Sequence, residues 1–135
     1  MTNVTLAQSY LRKATDRLDI LILLMGKGAY SDVIPEAQEI VELALKGVLR
    51  AAGIEPPKFH DVGGLLVEHR DKYREEVARE IGRIAEISKR LRKEREPSFY
   101  GDIDFIPTEE YRPEDAREAI EGANFIVEIA RKVIR

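Results

Sequence analysis

The stretch that decides the fold is residues 31–53, SDVIPEAQEIVELALKGVLRAAG. Apolar side chains recur in it every three or four positions, as they do on one face of an α-helix. These side chains are Ile34, Ala37, Val41, Ala44, Val48 and Ala52. Ser31 or Asp32 is a good N-cap, and Pro35 suits the first turn. Gly53 accepts the left-handed conformation that ends a helix, and Pro56 prevents continuation. The stretch therefore predicts an amphipathic helix.

Helical spacing recurs in three further stretches. The first covers about residues 5–25 and ends at Gly26 and Gly28. The second covers about residues 73–94 and is closed by Pro97, and the third runs from Pro113 to the C-terminus. A short helix capped by Asp61 lies between the helix of residues 31–53 and the helix of residues 73–94. No stretch alternates every two residues for long enough to predict a strand. We therefore predict an all-α fold, an up-and-down four-helix bundle with an extra short helix, as a single domain over residues 1–135.

Composition and missing motifs exclude several classes of protein. Charged residues make up 35% of the chain, against about 25% in an average domain, and the longest apolar run, residues 20–25, is too short to span a bilayer. Cysteine is absent, which excludes disulfide scaffolds, thiol nucleophiles and cysteine-based zinc sites. No Gly-x-x-x-x-Gly-Lys-Ser/Thr loop, Gly-x-Ser-x-Gly elbow or Glu-x-x-His pair occurs. We expect neither a cofactor nor a bound metal.

The beginning of the chain and its amide content bear on where the protein works. No basic segment leads into an apolar one at the start, so we read no signal peptide and expect a cytoplasmic protein without membrane contact. The amides are few beside abundant glutamate, lysine and arginine, which suits a thermophile. The net charge is −3, so any binding of nucleic acid must come from a local basic patch.

Arg95 is the most informative single residue. The apolar seam of the predicted long helix reaches Leu91, and four residues further it meets Arg95. A guanidinium therefore projects from the core-facing side in the last turn. It either extends outward and satisfies the last carbonyls of the helix, or grips an anion such as phosphate in a cleft between helix ends.

Polar residues also fall beside the apolar face of the helix predicted over residues 31–53. Gln38 lies within the apolar arc, Glu42 at its edge, and Lys46 one turn further. Glu42 and Lys46 form an ordinary pair four residues apart, or Gln38 and Glu42 line a cleft and meet a cation such as Arg95. The spacing leaves both interpretations open.

A basic cluster ends the predicted long helix: Lys89, Arg90, Arg92, Lys93 and Arg95. It is either a solvated helix end, whose cations suit the negative end of the helix dipole, or a site for phosphate and a stacked base beside Phe99 and Tyr100. The aromatic stretch that follows, residues 97–111, predicts a long ordered loop packed on the bundle, and such loops are usually functional.

Surplus apolar residues predict a symmetric homodimer. The last helix carries Phe125, Ile126, Ile129 and Val133 outside its main stripe, and the first helix is apolar nearly all round at residues 20–24. One small bundle can hardly cover such surfaces, so a second copy should do so.

Residues 30–49 resemble the second helix of HEPN domains (higher eukaryotes and prokaryotes nucleotide-binding). The pattern of that family, Ala-Gln-x-x-x-Glu-x-Ala-x-Lys, is met by Ala37, Gln38, Glu42, Ala44 and Lys46. The residues that typically follow are also present: Gly53, Pro56, Pro57, His60 and Asp61. The resemblance implies a helical bundle, usually dimeric, and allows a small nucleotidyltransferase as protein partner, as in two-gene toxin–antitoxin modules.

The resemblance also locates a possible active site. Many HEPN proteins are metal-independent endoribonucleases that use an arginine and, four to six residues later, a histidine at the end of the fourth helix. Arg95 occupies the arginine position, but Tyr100 stands where the histidine would fall. Tyrosine, with a pKa of about 10, is a poor proton acceptor near neutral pH, so binding survives this replacement better than catalysis.

Three functions are consistent with these patterns. The leading one is a nucleotide- or RNA-binding module, with a binding site predicted at Gln38, Glu42, Lys46, Arg92, Arg95, Ser98, Tyr100 and Asp102. The second is an endoribonuclease with Arg95 and Tyr100 as its catalytic residues. The third is an assembly module in which Glu42, Lys46 and Arg95 form a buried polar network.

Overall fold

The computed structural model describes residues 2–56, 58 and 61–134. Within them lie seven α-helices and no strand: α1 (Thr2–Gly26), α2 (Tyr30–Ala51), α3 (Val62–Glu68), α4 (Glu75–Ala78), α5 (Ile81–Phe99), α6 (Pro107–Glu110) and α7 (Pro113–Val133). The all-α prediction is confirmed. No helix among these residues combines the length and apolar character that crossing a bilayer requires.

The four long helices, α1, α2, α5 and α7, form the bundle, and α2 lies at its centre. It packs against α1, α7 and α5, while α3 packs on α5. The predicted stripe of α2 is buried from Ile34 to Val48, while its last member, Ala52, is half-buried and follows the end of the helix. The seam of the predicted long helix is also buried: Val77, Ile81, Ile84, Ser88 and Leu91. Burying such stripes is the main force that holds amphipathic helices together. The predicted four-helix bundle is therefore confirmed.

The start of α2 differs from the prediction. The helix begins at Tyr30, its N-cap is Ala29, and no side chain caps it, so the N-cap assigned to Ser31 or Asp32 is wrong. The chain turns within residues 26–29, where Gly28 has a φ of 73° and the amide of Ala29 donates to the carbonyl of Leu24. This tight turn delivers the chain into the helix before Ser31, which becomes a buried residue of the first turn.

The helix predicted over residues 73–94 is interrupted. A 3-10 turn covers Arg70–Lys72, α4 is one turn long, and α5 begins only at Ile81. Tyr73 has extended backbone because its hydroxyl reaches α2 and donates to the carbonyl of Val48 at 2.9 Å. Burial raises the pKa of Tyr73. The apolar spacing runs on through the interruption, which is why sequence periodicity alone predicts one helix.

The end of α5 also differs. Pro97 does not close the helix but lies inside its last turn, and α5 continues to Phe99. The chain leaves the helix instead at Gly101, where φ is +67° and a Cβ would lie 2.3 Å from the carbonyl oxygen of Phe105. Only glycine fits this turn. The loop predicted over residues 97–111 is thus partly helical, with the last turn of α5 and the short α6.

The extra apolar residues of α7 do not support the predicted homodimer, so this part of the prediction is wrong. Ile126 and Ile129 of α7 are buried within the chain, and Phe125 packs under the guanidinium of Arg83 at 3.9 Å. The other part stands, because Ile22 is 64% exposed and Leu23 is 58% exposed on α1. The homodimer stays a prediction that rests on α1.

Candidate nucleotide-binding cleft

A cleft of about 790 Å³ lies between α1, the first half of α2 and the end of α5. We call it the Arg95 cleft. Its lining side chains are Arg17, Ile20, Leu24, Asp32, Pro35, Glu36, Glu39, Arg92, Arg95, Glu96, Phe99 and Tyr100. Its volume is in the range of cavities that hold small ligands, about 300–1,000 Å³.

Arg95 joins the two central walls of this cleft. It follows Leu91 by one turn of α5, as predicted, and its guanidinium reaches across to α2. Nη1 donates to the amide oxygen of Gln38 and to Oε2 of Glu39, the latter at 2.9 Å. The side chain of Arg95 is 48% exposed, so part of the guanidinium remains open to the cleft.

Gln38 is oriented from behind by Glu42. Gln38 is only 4% exposed, and its amide nitrogen donates to Oε2 of Glu42 at 3.4 Å. Because this nitrogen is committed to Glu42, the amide oxygen faces Arg95. The predicted meeting of Gln38 with Arg95 is present in the structure, whereas Glu42 contacts Gln38 and not the guanidinium.

Glu39 is the site residue that sequence reasoning missed. It supplies the carboxylate that pairs with Arg95, the part assigned in the sequence to Glu42. Its neighbour Gln38 was found because an amide within an apolar arc is unusual. A glutamate outside that arc looks like any solvated side chain, so the pattern carried no signal for it.

Two further arginines line the Arg95 cleft, each opposite a carboxylate. Arg17 of α1 pairs with Glu36 of α2 at 3.2 Å and ties these helices together. Arg92 of α5 has its Nη1 3.8 Å from Oδ1 of Asp61, and this buried nitrogen has no hydrogen-bond partner among the residues that the structure describes. Asp61 also caps α3, as predicted, by accepting from the amide of Gly63 at 3.1 Å.

Aromatic side chains form the edge of the cleft. Phe99 and Tyr100 pack edge to face with ring centroids 4.9 Å apart, and Tyr100 is 74% exposed. Exposed rings at the end of a basic helix are suited to stacking on a nucleobase. Their position follows from the glycine turn at residue 101, which ends α5 directly after them.

The segment after the aromatic pair is fastened back to α5. Asp102 and Phe105 exchange backbone hydrogen bonds at 2.9 and 3.0 Å, and Phe105 packs edge to face on Tyr111. The Tyr111 hydroxyl donates to Oε1 of Glu94 at 2.7 Å. Burial and this hydrogen bond raise the pKa of Tyr111. The turn that carries Tyr100 is thereby anchored at both ends.

Several predicted site residues lie elsewhere. Ser98 is fully buried and its hydroxyl donates to the carbonyl of Arg95 at 3.1 Å, so it faces the core and not the cleft. Lys46 does not line the Arg95 cleft, and no ion pair joins it to Glu42. Asp102 lines a smaller neighbouring cavity together with Tyr100.

The charge in the Arg95 cleft is balanced and not strongly basic. Three guanidiniums line it, from Arg17, Arg92 and Arg95, but so do the carboxylates of Asp32, Glu36, Glu39 and Glu96. An anion that enters must therefore compete with carboxylates already near the arginines. This arrangement favours one phosphate held at a defined point over a long strand attracted by a broad positive field.

Among the residues that the structure describes, no histidine lines this cleft. His69 is half-buried and does not line the cleft, and His60 lies outside the described residues. Across the residues that the structure describes, no group of three or more histidine, aspartate or glutamate side chains is placed to hold a metal ion.

The sequence model of the HEPN domain matches residues 7–133, nearly the whole chain. The chain belongs to the HEPN family. It is also similar to a protein of Methanocaldococcus jannaschii named "Putative toxin MJ1304", with 26% identity over 140 aligned positions that cover 98% of this chain and 91% of the relative.

In this HEPN chain, the two residues predicted as a catalytic pair, Arg95 and Tyr100, line one cleft. Arg95 lies in the penultimate turn of α5 and Tyr100 directly follows the helix, and both line the same cavity. The second helix of the HEPN pattern provides Gln38 opposite them. The structure thus brings together Gln38, Arg95 and Tyr100 of the predicted residues, with Arg92 beside them.

Proposed function

We propose that this protein is a toxin-like HEPN module that binds a nucleotide, or the end of an RNA, in the Arg95 cleft. The observation that carries the proposal is the position of Arg95. Its guanidinium is held by Gln38 and Glu39, remains half-exposed, and lies in the same cleft as an exposed aromatic pair. The toxin-like character is supported by the similarity to the M. jannaschii protein.

The arrangement suits the two chemical parts of a nucleotide. A planar guanidinium can donate two parallel hydrogen bonds to a phosphate, and the bond from Nη1 to Gln38 holds the Arg95 guanidinium in position at one nitrogen. Tyr100 and Phe99 offer ring faces and edges for a base. Arg92 adds a second guanidinium one turn earlier on α5, and its side chain lines the same cleft.

The exposure of Arg95 argues against the assembly-module hypothesis. That hypothesis requires Glu42, Lys46 and Arg95 to form a buried network. Arg95 is half-exposed, and Lys46 joins neither of the others in an ion pair. Because Arg95 faces an open cleft, the bundle does not need its contacts with Gln38 and Glu39 in order to fold. Ligand binding therefore accounts better for the position of Arg95.

The partners of this module belong to the same proposal. The exposed Ile22 and Leu23 of α1 support a homodimer, because a neighbouring apolar pair at this exposure favours contact with another protein. A small nucleotidyltransferase as the protein partner is supported by the family resemblance. Analytical ultracentrifugation tests the first, and co-purification with the product of an adjacent nucleotidyltransferase gene tests the second.

The test of binding is calorimetry with nucleoside monophosphates and a short single-stranded RNA at low salt. We expect Arg95→Ala to abolish binding, while Arg117→Ala, which removes an exposed arginine from a pair on α7, leaves it unchanged. Failure of the wild-type protein to bind any of these ligands would refute the proposal. Equal binding by wild type and Arg95→Ala would also refute it.

A second candidate is RNA cleavage, because Arg95 and Tyr100 line one cleft. Arg95 would stabilise the charge that develops on the phosphate. Tyr100 would accept the proton of the attacking 2′-hydroxyl or donate a proton to the leaving oxygen. Labelled RNA incubated with the protein in EDTA tests this. Cleavage that Arg95→Ala and Tyr100→Phe both remove supports it, whereas RNA left intact at stoichiometric protein rejects it.

A further inference from the structure

A second cleft lies at the other end of the bundle, where α2 and α7 end. Its volume is about 450 Å³, and its charged lining comes from Lys72, Arg74 and Lys132. We call it the Lys132 cleft. Gln38 and Ala51 stand thirteen residues apart on α2, so the rise of a helix places this cleft about 20 Å from the Arg95 cleft.

The Lys132 cleft carries cations without any lining carboxylate. This is unusual in a chain whose net charge is −3. In the described part of the chain, the Arg95 cleft and the cavity that Tyr100 and Asp102 line each have at least two acidic side chains in their lining. Two smaller cavities between α5 and α7 have three each: Glu94, Asp115 and Glu118 in one, and Glu86, Glu118 and Glu121 in the other. Of these cavities among the described residues, the Lys132 cleft alone has a cationic lining without an acidic side chain.

Nearby negative groups neutralise only part of the positive charge in the Lys132 cleft. Arg74 pairs with Glu76 at 2.7 Å and donates to the carbonyl of Lys132 at 3.5 Å. The C-terminal ends of α2 and α7 contribute about half a negative charge each. The ammonium groups of Lys72 and Lys132 take part in none of the ion pairs within 4.0 Å among the described residues. Counted over the described residues that line it, the cleft keeps a net positive charge.

The wall between these cations is rigid. Tyr73, between Lys72 and Arg74, is fixed on α2 by its hydrogen bond to the carbonyl of Val48. The floor is small and apolar at Ala51 and Val77. Because the backbone that carries Lys72 is fixed, the lysines flank a defined groove and not a flexible loop.

We propose that the Lys132 cleft binds phosphate groups of a chain polyanion, with Lys72 and Lys132 as the contacting residues. The identification of that polyanion as an RNA strand rests on the proposed function, while the phosphate site itself does not. An RNA whose terminal nucleotide lies at Arg95 would need to extend about 20 Å along the bundle to reach it. Contacts of this kind carry no base specificity and add affinity.

The experiment compares Lys72→Gln/Lys132→Gln with the control Lys13→Gln/Lys27→Gln, which removes the same charge from exposed lysines that line none of these cavities. All four side chains are exposed, so both variants should fold, and circular dichroism checks this. Fluorescence anisotropy with a 12-nucleotide single-stranded RNA over a salt series is the first arm. Thermal stabilisation by sodium tripolyphosphate is the second.

We expect the Lys72/Lys132 variant to lose about tenfold in RNA affinity at low salt. The slope of log K against log salt should fall by about 1.4, since each phosphate contact on a single strand contributes roughly 0.7. Stabilisation by tripolyphosphate should also be lost. An effect on tripolyphosphate alone assigns the site to free polyphosphate, and an effect on RNA assigns it to a strand.

Identical behaviour of the two double variants in both arms would overturn the proposal. This failure is distinguishable from that of the proposed function, which depends on mononucleotide binding and Arg95→Ala. A protein that binds no mononucleotide but loses tripolyphosphate stabilisation in the Lys72/Lys132 variant would refute only the Arg95 proposal. A protein with the opposite behaviour would refute only the Lys132 cleft.

Discussion

Replacing Glu39 by glutamine should tighten nucleotide binding. In the structure, Oε2 of Glu39 lies 2.9 Å from Nη1 of Arg95, on the guanidinium that we propose to hold phosphate. A phosphate must displace this carboxylate or share the guanidinium with it. Glutamine keeps the size and the hydrogen-bonding oxygen of Glu39 but removes the charge, so the competition weakens.

The magnitude follows from the exposure of the pair. Both side chains are more than one third exposed, and pairs of this kind contribute about 0.2–1 kcal/mol. If the full pair energy opposes the ligand, its removal lowers Kd by up to about fivefold, since 1.4 kcal/mol corresponds to a factor of ten. A gain between about 1.4-fold and about fivefold is therefore expected at low salt, and it should shrink as salt screens the charges.

Calorimetry with a nucleoside monophosphate measures this gain, and Glu36→Gln provides the control. Glu36 lines the same cleft and pairs with Arg17 at 3.2 Å, so its replacement changes the charge of the cleft equally without freeing Arg95. In the background of Arg95→Ala, the gain from Glu39→Gln should disappear. Weaker binding by Glu39→Gln, or an equal gain from Glu36→Gln, would refute the reasoning.

Three further predictions concern stability and the turn beside the site. Gly63→Ala should destabilise the protein by about 1–3 kcal/mol because its Cβ would lie 2.9 Å from the Cα of Ala85. Gly64→Ala is the control, since its Cβ meets only ordinary contacts and should not destabilise the protein. Urea denaturation compares the two variants. Stability should fall as pH rises above about 10, because the raised pKa of Tyr73 favours its neutral form in the folded state and ionisation favours the unfolded chain; Tyr73→Phe should flatten that fall, and an unchanged slope would contradict it. Gly101→Ala should lower both Tm and nucleotide affinity, since a side chain there collides with the turn that positions Tyr100; retention of both would show that the turn adapts.

The sequence predicted the bundle well because burial follows periodicity. The stripes on α2 and on the helix that contains Leu91 are the ones that the core buries. The errors lie at helix ends. Pro97 predicts the end of the helix because proline lacks an amide hydrogen, but one missing hydrogen bond in a last turn costs little when the next residue, Ser98, is buried. Local preference was outweighed by packing.

The candidate site was predictable only in its central residue and its immediate partner. Arg95 and Gln38 are polar groups on apolar seams, and that anomaly is visible in a sequence. The same seam, continued three residues past Arg95, reaches Ser98, which is buried. A helix that is predicted to end at Pro97 does not include Ser98, so the prediction missed this burial. Glu39 lies outside the seam, and its pairing depends on how far apart α2 and α5 stand, which periodicity does not encode.

Ile20 belongs to two surfaces at once, since it lines the Arg95 cleft and also stands on the apolar side of α1 beside Leu23. Any protein that binds to that side of α1 would cover the opening of the Arg95 cleft. Escape of a bound nucleotide would then slow as the protein becomes more concentrated, so residence time would report on assembly.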